Sequence, residues 1–296
     1  MKILLIGNTG QLGWELQRSL MQFGEVIGID FPEINLTDNS TISHWIQKEK
    51  PDVIFNAAAY TAMDLAEKEK DLAFQVNASG PGFLAEEAAS SGAILVHYST
   101  NYVFDGSKES PYQESDTPNP INVYGESKLL GEQNIDKVGG IFFIFRTSWL
   151  YSTRKDCFLT KVLDWSRNKK ELRIVNDQIS SPTWSRTLAD MTAQWFDRIK
   201  FEDQTGMKKR SGIYHLAGDG AVSRYDWTVQ ILKLDPKRNE QILTSLKPAS
   251  SDEFPTPARR PEYSALDTSL FQEVFNLTIP SWLTSLELAL SPSNER

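Results

Sequence analysis

The chain alternates short apolar runs with amphipathic stretches from its second residue onward. Lys2-Ile3-Leu4-Leu5-Ile6 is apolar enough for a strand buried on both faces, and Leu12, Leu16, Leu20 and Phe23 then recur at helical spacing up to Gly24. Residues 25–30 give a second strand, residues 41–50 a helix closed by Pro51, and residues 52–56 a third strand. Helical periodicity over 71–91, with an interruption expected at Gly80-Pro81, leads to Gly92 and a fourth strand at 93–98. The Pro-, Ser- and Asp-rich residues 108–120 read as a surface loop, a helix opens near Tyr124, and residues 141–146 form a further strand. Strands alternating with helices predict an α/β fold built on a Rossmann-type, doubly wound parallel sheet. After residue 150 the rhythm breaks: residues 158–167 and 183–199 look helical, with short strand candidates at 172–175 and 212–217. We therefore expect a dinucleotide-binding domain over 1–150 and a smaller, mainly substrate-binding lobe over 151–296, interleaved with the sheet.

A formal net charge of −8 and a pI near 5.1 argue against nucleic acid as a partner, which needs a basic face, so any anionic ligand must be met locally. The single cysteine, Cys157, excludes an internal disulfide, and His44, His97 and His215 stand too far apart for a dedicated metal site; no metal is expected. No apolar run approaches the ~20 residues of a membrane span, and the first strand begins too close to Met1 for a signal peptide, which leads to the expectation of a cytoplasmic protein.

Candidate chemistry gathers at the strand ends. Gly7-Asn8-Thr9-Gly10-Gln11-Leu12-Gly13 joins the first strand to a helix with the GxxGxxG spacing that brings backbone N–H groups to a pyrophosphate. Asp30 ends the second strand, where a carboxylate accepts from a ribose hydroxyl and favours NADH by repelling the 2′-phosphate of NADPH; no arginine follows within residues 31–36. Thr100 ends the run of the fourth strand. Tyr124 and Lys128 lie four residues apart, on one face of a helix, where an ammonium favours the phenolate and brings a tyrosine toward working pH. Tyr151 also has a lysine four residues on, Lys155, but its surroundings read as a polar loop. Arg259 and Arg260, set among Pro255, Pro257 and Pro261, make a basic loop suited to a diphosphate.

These motifs resemble those of the extended short-chain dehydrogenase/reductases. Asn56-Ala57-Ala58-Ala59-Tyr60-Thr61, His97 through Phe104, Asn122-Val123-Tyr124-Gly125, Arg146-Thr147-Ser148-Trp149, Asn176-Asp177-Gln178 and Pro182-Thr183 narrow the resemblance to the reductases of dTDP-4-keto-6-deoxyhexoses. It implies reduction of the 4-keto group of dTDP-6-deoxy-L-lyxo-4-hexulose to dTDP-L-rhamnose with NADH or NADPH. Gly10, Gln11, Leu12, Asp30, Asn35, Leu36, Ala59, Tyr60 and Thr61 would line the cofactor; Thr100, Asn101 and Trp149 would meet the sugar nucleotide. Tyr124 would protonate the oxygen held by Thr100, with Lys128 on the phenol and the nicotinamide ribose. The chain departs from the pattern at Asn101, usually Asp, at Ser180, usually Gly, and at Tyr263, usually Asn. Some relatives dimerise around magnesium held by glutamates; Glu15 is present, Arg186 stands at the second position, and a homodimer remains open. A sugar-nucleotide epimerase shares the scaffold, and a non-catalytic dinucleotide-binding subunit is a second rival. A 4,6-dehydratase would place Asp-Glu where Asn101-Tyr102 stands.

Overall fold

The computed structural model describes residues 1–291. Its centre is a six-stranded parallel sheet of β1 (Lys2–Ile6), β2 (Glu25–Ile29), β3 (Val53–Asn56), β4 (Ile94–Thr100), β5 (Phe142–Thr147) and the strand Gly212–His215. The spatial order is β2-β1-β3-β4-β5 and then Gly212–His215, so the chain reverses direction across the sheet between β1 and β3. At such a switch point the loops leaving two neighbouring strands diverge, and a ligand can enter between them.

Each sheet face is covered by its own apolar layer. On one, Leu12, Leu16 and Leu20 of the helix Gln11–Leu20 interlock with Leu188, Trp195 and Phe196 of the helix Ser185–Ile199. On the other, Ile42, Ile46, Leu84, Ala88 and Ile135 pack over Leu4, Ile54 and Leu95. The expected break at Gly80-Pro81 is absent: Lys70–Phe74, a π-turn at Gln75–Ser79 and Gly80–Ser91 follow one another directly, and Pro81 lies in the first turn of the last helix, where no N–H is needed. The π-turn turns Asn77 inward, where it accepts from Tyr60 N (2.8 Å) and donates to Tyr60 O (3.0 Å) and Ser127 Oγ (3.0 Å).

Residues beyond 150 serve both the sheet and a second core. The helix Ser185–Ile199 and the strand Gly212–His215 complete the sheet layers, while Tyr151, Leu159, Val162, Trp184, Trp227 and Leu286 form a separate cluster. The strand candidate at 172–175 appears as Glu171–Val175, outside the main sheet and paired in parallel with Ser245–Ala249. Among the described residues no helix is long and apolar enough to cross a membrane.

The helix Val123–Val138 is fastened to the sheet by buried charge. Glu132 takes Arg146 of β5 through Nε (2.9 Å) and Nη2 (2.6 Å), and also accepts from Ser99 Oγ of β4 (2.5 Å). Both side chains are almost fully hidden from water, so removing one partner strands the other. Glu132→Ala is therefore expected to lower the free energy of unfolding by about 3–5 kcal/mol in urea denaturation; a loss below about 1 kcal/mol would match an exposed pair and contradict this burial.

Candidate active site

The carboxyl ends of β1 to β5 open into a cleft of about 820 Å³. At one end lies the glycine turn. Gly7 has φ +84°, and a Cβ there would stand 2.7 Å from Ala58 N; a Cβ on Gly13 would meet Gly7 O at 2.0 Å. Only glycines let the turn, the helix start and the Ala57-Ala58-Ala59 segment close up in this way. Gln11, Leu12, Asn35, Leu36, Ala59 and Thr61 line the same end, as do Gly7, Gly10 and Tyr60. Gly13 lies outside the lining and acts through the turn's packing. Gln11 Oε1 is buried without a partner in the protein, an unmet acceptor in a cleft that suits a polar ligand. Asp30 accepts from Thr9 N (3.2 Å), Thr9 Oγ1 (2.5 Å) and Phe31 N (2.8 Å), so its carboxylate faces the cleft already oriented.

Deeper in, Thr100, Tyr124 and Lys128 come together. Asn122 caps the helix start by accepting from Gly125 N (2.8 Å), and Gly125 lets the helix lie against Tyr102 O, which a Cβ would approach to 2.1 Å. The phenol of Tyr124 faces the Thr100 hydroxyl. Burial pushes its pKa up to about 12, and that hydroxyl pulls it partly back. The expected contact between ammonium and phenol takes another form: Lys128 Nζ donates to Tyr98 O (2.6 Å) and meets His97 Nε2 (3.1 Å). The helical spacing does put both residues on the cleft side, yet the backbone carbonyl of β4 and the imidazole take the ammonium. Burial brings the Lys128 pKa down to about 8, with Glu132 opposing.

The far end is aromatic. Trp149, at the positive φ of 38°, stacks on Trp227 with ring centroids 5.7 Å apart. The Arg224 guanidinium lies 3.6 Å from the Trp149 ring centre and 4.6 Å from that of Phe158, near the Tyr102 phenol. Among the described residues it has no carboxylate partner, and desolvation lowers its pKa to about 10. Sequence reading passed over Arg224; the Ser223 cap and the aromatic residue three positions later were the available signals.

Arg260 is placed differently from the expectation. It lies outside the cleft lining, where its guanidinium grips Asp64 through Nη1 (2.6 Å) and Nη2 (2.8 Å) and also bonds Thr256 Oγ1 (2.7 Å). Tyr151 is wholly buried in the second core, and its hydroxyl has no partner. Asn101 is buried too: Nδ2 donates to Ser180 Oγ (3.0 Å), Ser264 Oγ (2.8 Å) and Ser264 O (3.1 Å). Glu15 receives Arg18 Nε (3.3 Å) and Arg186 Nε (3.2 Å), so guanidinium groups occupy the carboxylate that a cation would need.

The model of the family described as RmlD substrate binding domain matches residues 1–294. The chain is 39% identical to dTDP-4-dehydrorhamnose reductase of Burkholderia thailandensis, over 98% of both chains, and 36% identical to that of Escherichia coli K12, over 98% of this chain and 97% of the other. Among solved structures, a dTDP-4-dehydrorhamnose reductase from Clostridium acetobutylicum superposes with a TM-score of 0.88 at 34% identity, covering 98% of each chain. The Bacillus anthracis enzyme, solved in complex with NADP, gives 0.88 at 32% identity over 97% of this chain and 98% of its own. A UDP-glucose 4-epimerase from Thermus thermophilus, 17% identical with a TM-score of 0.77, shares the fold. The glycine turn, the Thr100–Tyr124 pair and these full-length matches lead to one conclusion: the chain belongs to the dTDP-4-dehydrorhamnose reductase family, oxidoreductases of the extended short-chain dehydrogenase/reductase type.

Proposed function

We propose that the protein reduces the 4-keto group of a dTDP-4-keto-6-deoxyhexose with NADH or NADPH, dTDP-4-dehydrorhamnose to dTDP-L-rhamnose, in the cytoplasm. The observation that carries this reading is the Tyr124 phenol facing the Thr100 hydroxyl at the inner end of a dinucleotide-sized cleft. Reduction of a ketone needs a proton donor where alkoxide charge develops, and a neutral phenol can supply that proton. When bound, the nicotinamide supplies the hydride. Tyr124 gives its proton to the sugar oxygen, and Thr100 orients that oxygen and the phenol. Lys128 donates to Tyr98 O with His97 beside it, and a further N–H is assigned to the nicotinamide ribose. Gly10, Gln11 and Leu12 at the helix N-terminus hold the cofactor pyrophosphate, and Asp30 its adenosine ribose.

At the aromatic end Trp149 and Asn101 border the sugar, and Arg224 meets the diphosphate. Arg224 suits that role better than Arg260, because its charge faces the cleft without a counter-ion, whereas Asp64 already holds Arg260. The epimerase reading shares the cofactor turn and the Tyr124 helix but requires a cofactor retained through turnover; the reductase must exchange it.

Enzymatically prepared dTDP-4-keto sugar, supplied with NADH or NADPH and followed by loss of absorbance, tests the whole reading; no oxidation of either nucleotide would end it. Tyr124→Phe is expected to cut kcat by about 10²–10⁴-fold with cofactor affinity retained, and a nearly wild-type rate would remove Tyr124 from the chemistry. Arg224→Ala should raise the sugar-nucleotide KM by about 10–100-fold, the worth of a charge-assisted bond, while Arg260→Ala should leave KM close to wild type; the reverse outcome would return the diphosphate to Arg260. With Asp30 at the ribose, kcat/KM for NADH should at least equal that for NADPH, and an NADPH preference above about tenfold would contradict this role.

A further inference from the structure

Behind the Tyr124 helix lies a hydrogen-bonded cluster in which donors outnumber acceptors. Asn56 of β3 and His97 of β4 are cross-strand partners, and Asn56 Nδ2 meets His97 Nδ1 at 3.1 Å. The orientation of the Asn56 amide is fixed from its other side, because its Oδ1 accepts from Ala58 N at 3.2 Å. Nδ1 of His97 must then be the acceptor. A neutral imidazole carries one proton, so that proton sits on Nε2, which faces Lys128 Nζ at 3.1 Å. Among the described residues the only other partner of Nζ is Tyr98 O, at 2.6 Å. Two N–H groups thus point at one another wherever Lys128 is an ammonium, and the conflict ends when Lys128 becomes an amine that accepts from Nε2.

We propose that His97 is a positioning residue that carries its proton on Nε2, facing Lys128, and so makes Lys128 the dispensable proton of the cluster. This rests on the reading that Lys128 supports the chemistry of Tyr124. The charged and titratable groups around the pair are few. Tyr124 lies one turn away on the same helix, and Glu132 one turn further on, held by Ser99 of β4 and Arg146 of β5, favours the ammonium; Asn56 and the Tyr98 carbonyl are neutral. The imidazole itself stays neutral, since burial and the neighbouring Lys128 hold its pKa well below the usual value. The role assigned to His97 is to ease proton loss from Lys128, so that after Tyr124 has given its proton to the sugar oxygen, the proton it lacks can be replaced from the ammonium one turn further along the helix.

The protein has three histidines, so ¹⁵N NMR of the labelled full-length chain can resolve the His97 ring. A neutral Nε2–H tautomer at pH 6–9 is expected; an Nδ1–H tautomer overturns the proposal in the wild-type protein, without reference to activity. The second measurement is the pH profile of kcat/KM. Activity needs the ammonium and falls as pH rises through the Lys128 pKa. His97→Gln, whose carbonyl oxygen can accept from Nζ, should therefore move the alkaline limb upward by at least about half a pH unit, roughly a threefold gain in proton affinity. An unmoved limb also overturns it. Should His97→Gln fail to fold, His97→Asn offers the same oxygen and the tautomer in the wild-type protein still decides. Tyr124→Phe separates the two readings: an inactive Tyr124→Phe enzyme with an Nδ1–H His97 leaves the reductase reading intact and removes this one.

Discussion

The Tyr124 helix carries within about two turns a phenol that lines the cleft and, behind it, a lysine and a glutamate that are buried. Burial opposes charge at every one of these positions: it raises the phenol, lowers the lysine and would strand the glutamate. Each is answered by a partner from the sheet. Arg146 and Ser99 meet Glu132, Tyr98 O and His97 meet Lys128, and Thr100 meets Tyr124, so four of the five come from β4 and the fifth from β5. Close contact between helix and strand is thus an electrostatic requirement as well as a packing one. Gly125 and Gly131 bring the same helix against two turns, since a Cβ on either would stand 2.1 Å from a carbonyl oxygen, of Tyr102 in the turn after β4 or of Asn77 in the π-turn.

The same accounting explains two departures from the family pattern as one. Asn101 donates to Ser180 Oγ, Ser264 Oγ and Ser264 O, the last an atom that can only accept. An aspartate at 101 could not serve that carbonyl, and a glycine at 180 would remove one acceptor for the asparagine amide. Asn101 and Ser180 therefore form a matched pair. It closes the floor of the cleft beneath Thr100 without a negative charge, and leaves the hydroxyl of Thr100 in contact with Asn101 Oδ1 at 3.3 Å.

Much of this was legible in the sequence because it is local. The glycine turn, the strand ends at Asp30 and Thr100, and the helix that sets Tyr124 and Lys128 on one side follow from short-range spacing, and the full-length family matches agree with the reading drawn from those motifs. The failures involve partners distant in sequence. Tyr151 looked like a loop residue because its neighbours are polar, yet its ring is taken up by Trp227, which lies in a helix of the later chain. The π-turn at Gln75–Ser79 hid behind Pro81, whose usual effect on a helix is absorbed when it stands in a first turn. Lys128 was assigned to the phenol by helical geometry alone, which carries no information about the carbonyl that β4 presents to it.

The two arginines show the same limit most directly. Composition favoured Arg260, a cation on an extended loop of an acidic protein, but Asp64, 196 positions earlier in the chain, claims it with two parallel bonds. A guanidinium neutralised in this way has little left for a diphosphate. Arg224 was inconspicuous, one charge at the start of an ordinary helix. In the folded chain Trp149 and Phe158 stack against its planar group and desolvate it. Stacking on rings is tolerable for a guanidinium because its charge is delocalised and weakly hydrated, whereas a lysine ammonium at the same spot would lose far more hydration. The aromatic floor thus keeps the charge of Arg224 uncompensated and open to the cleft, and an entering anion gains most from a cation in that state.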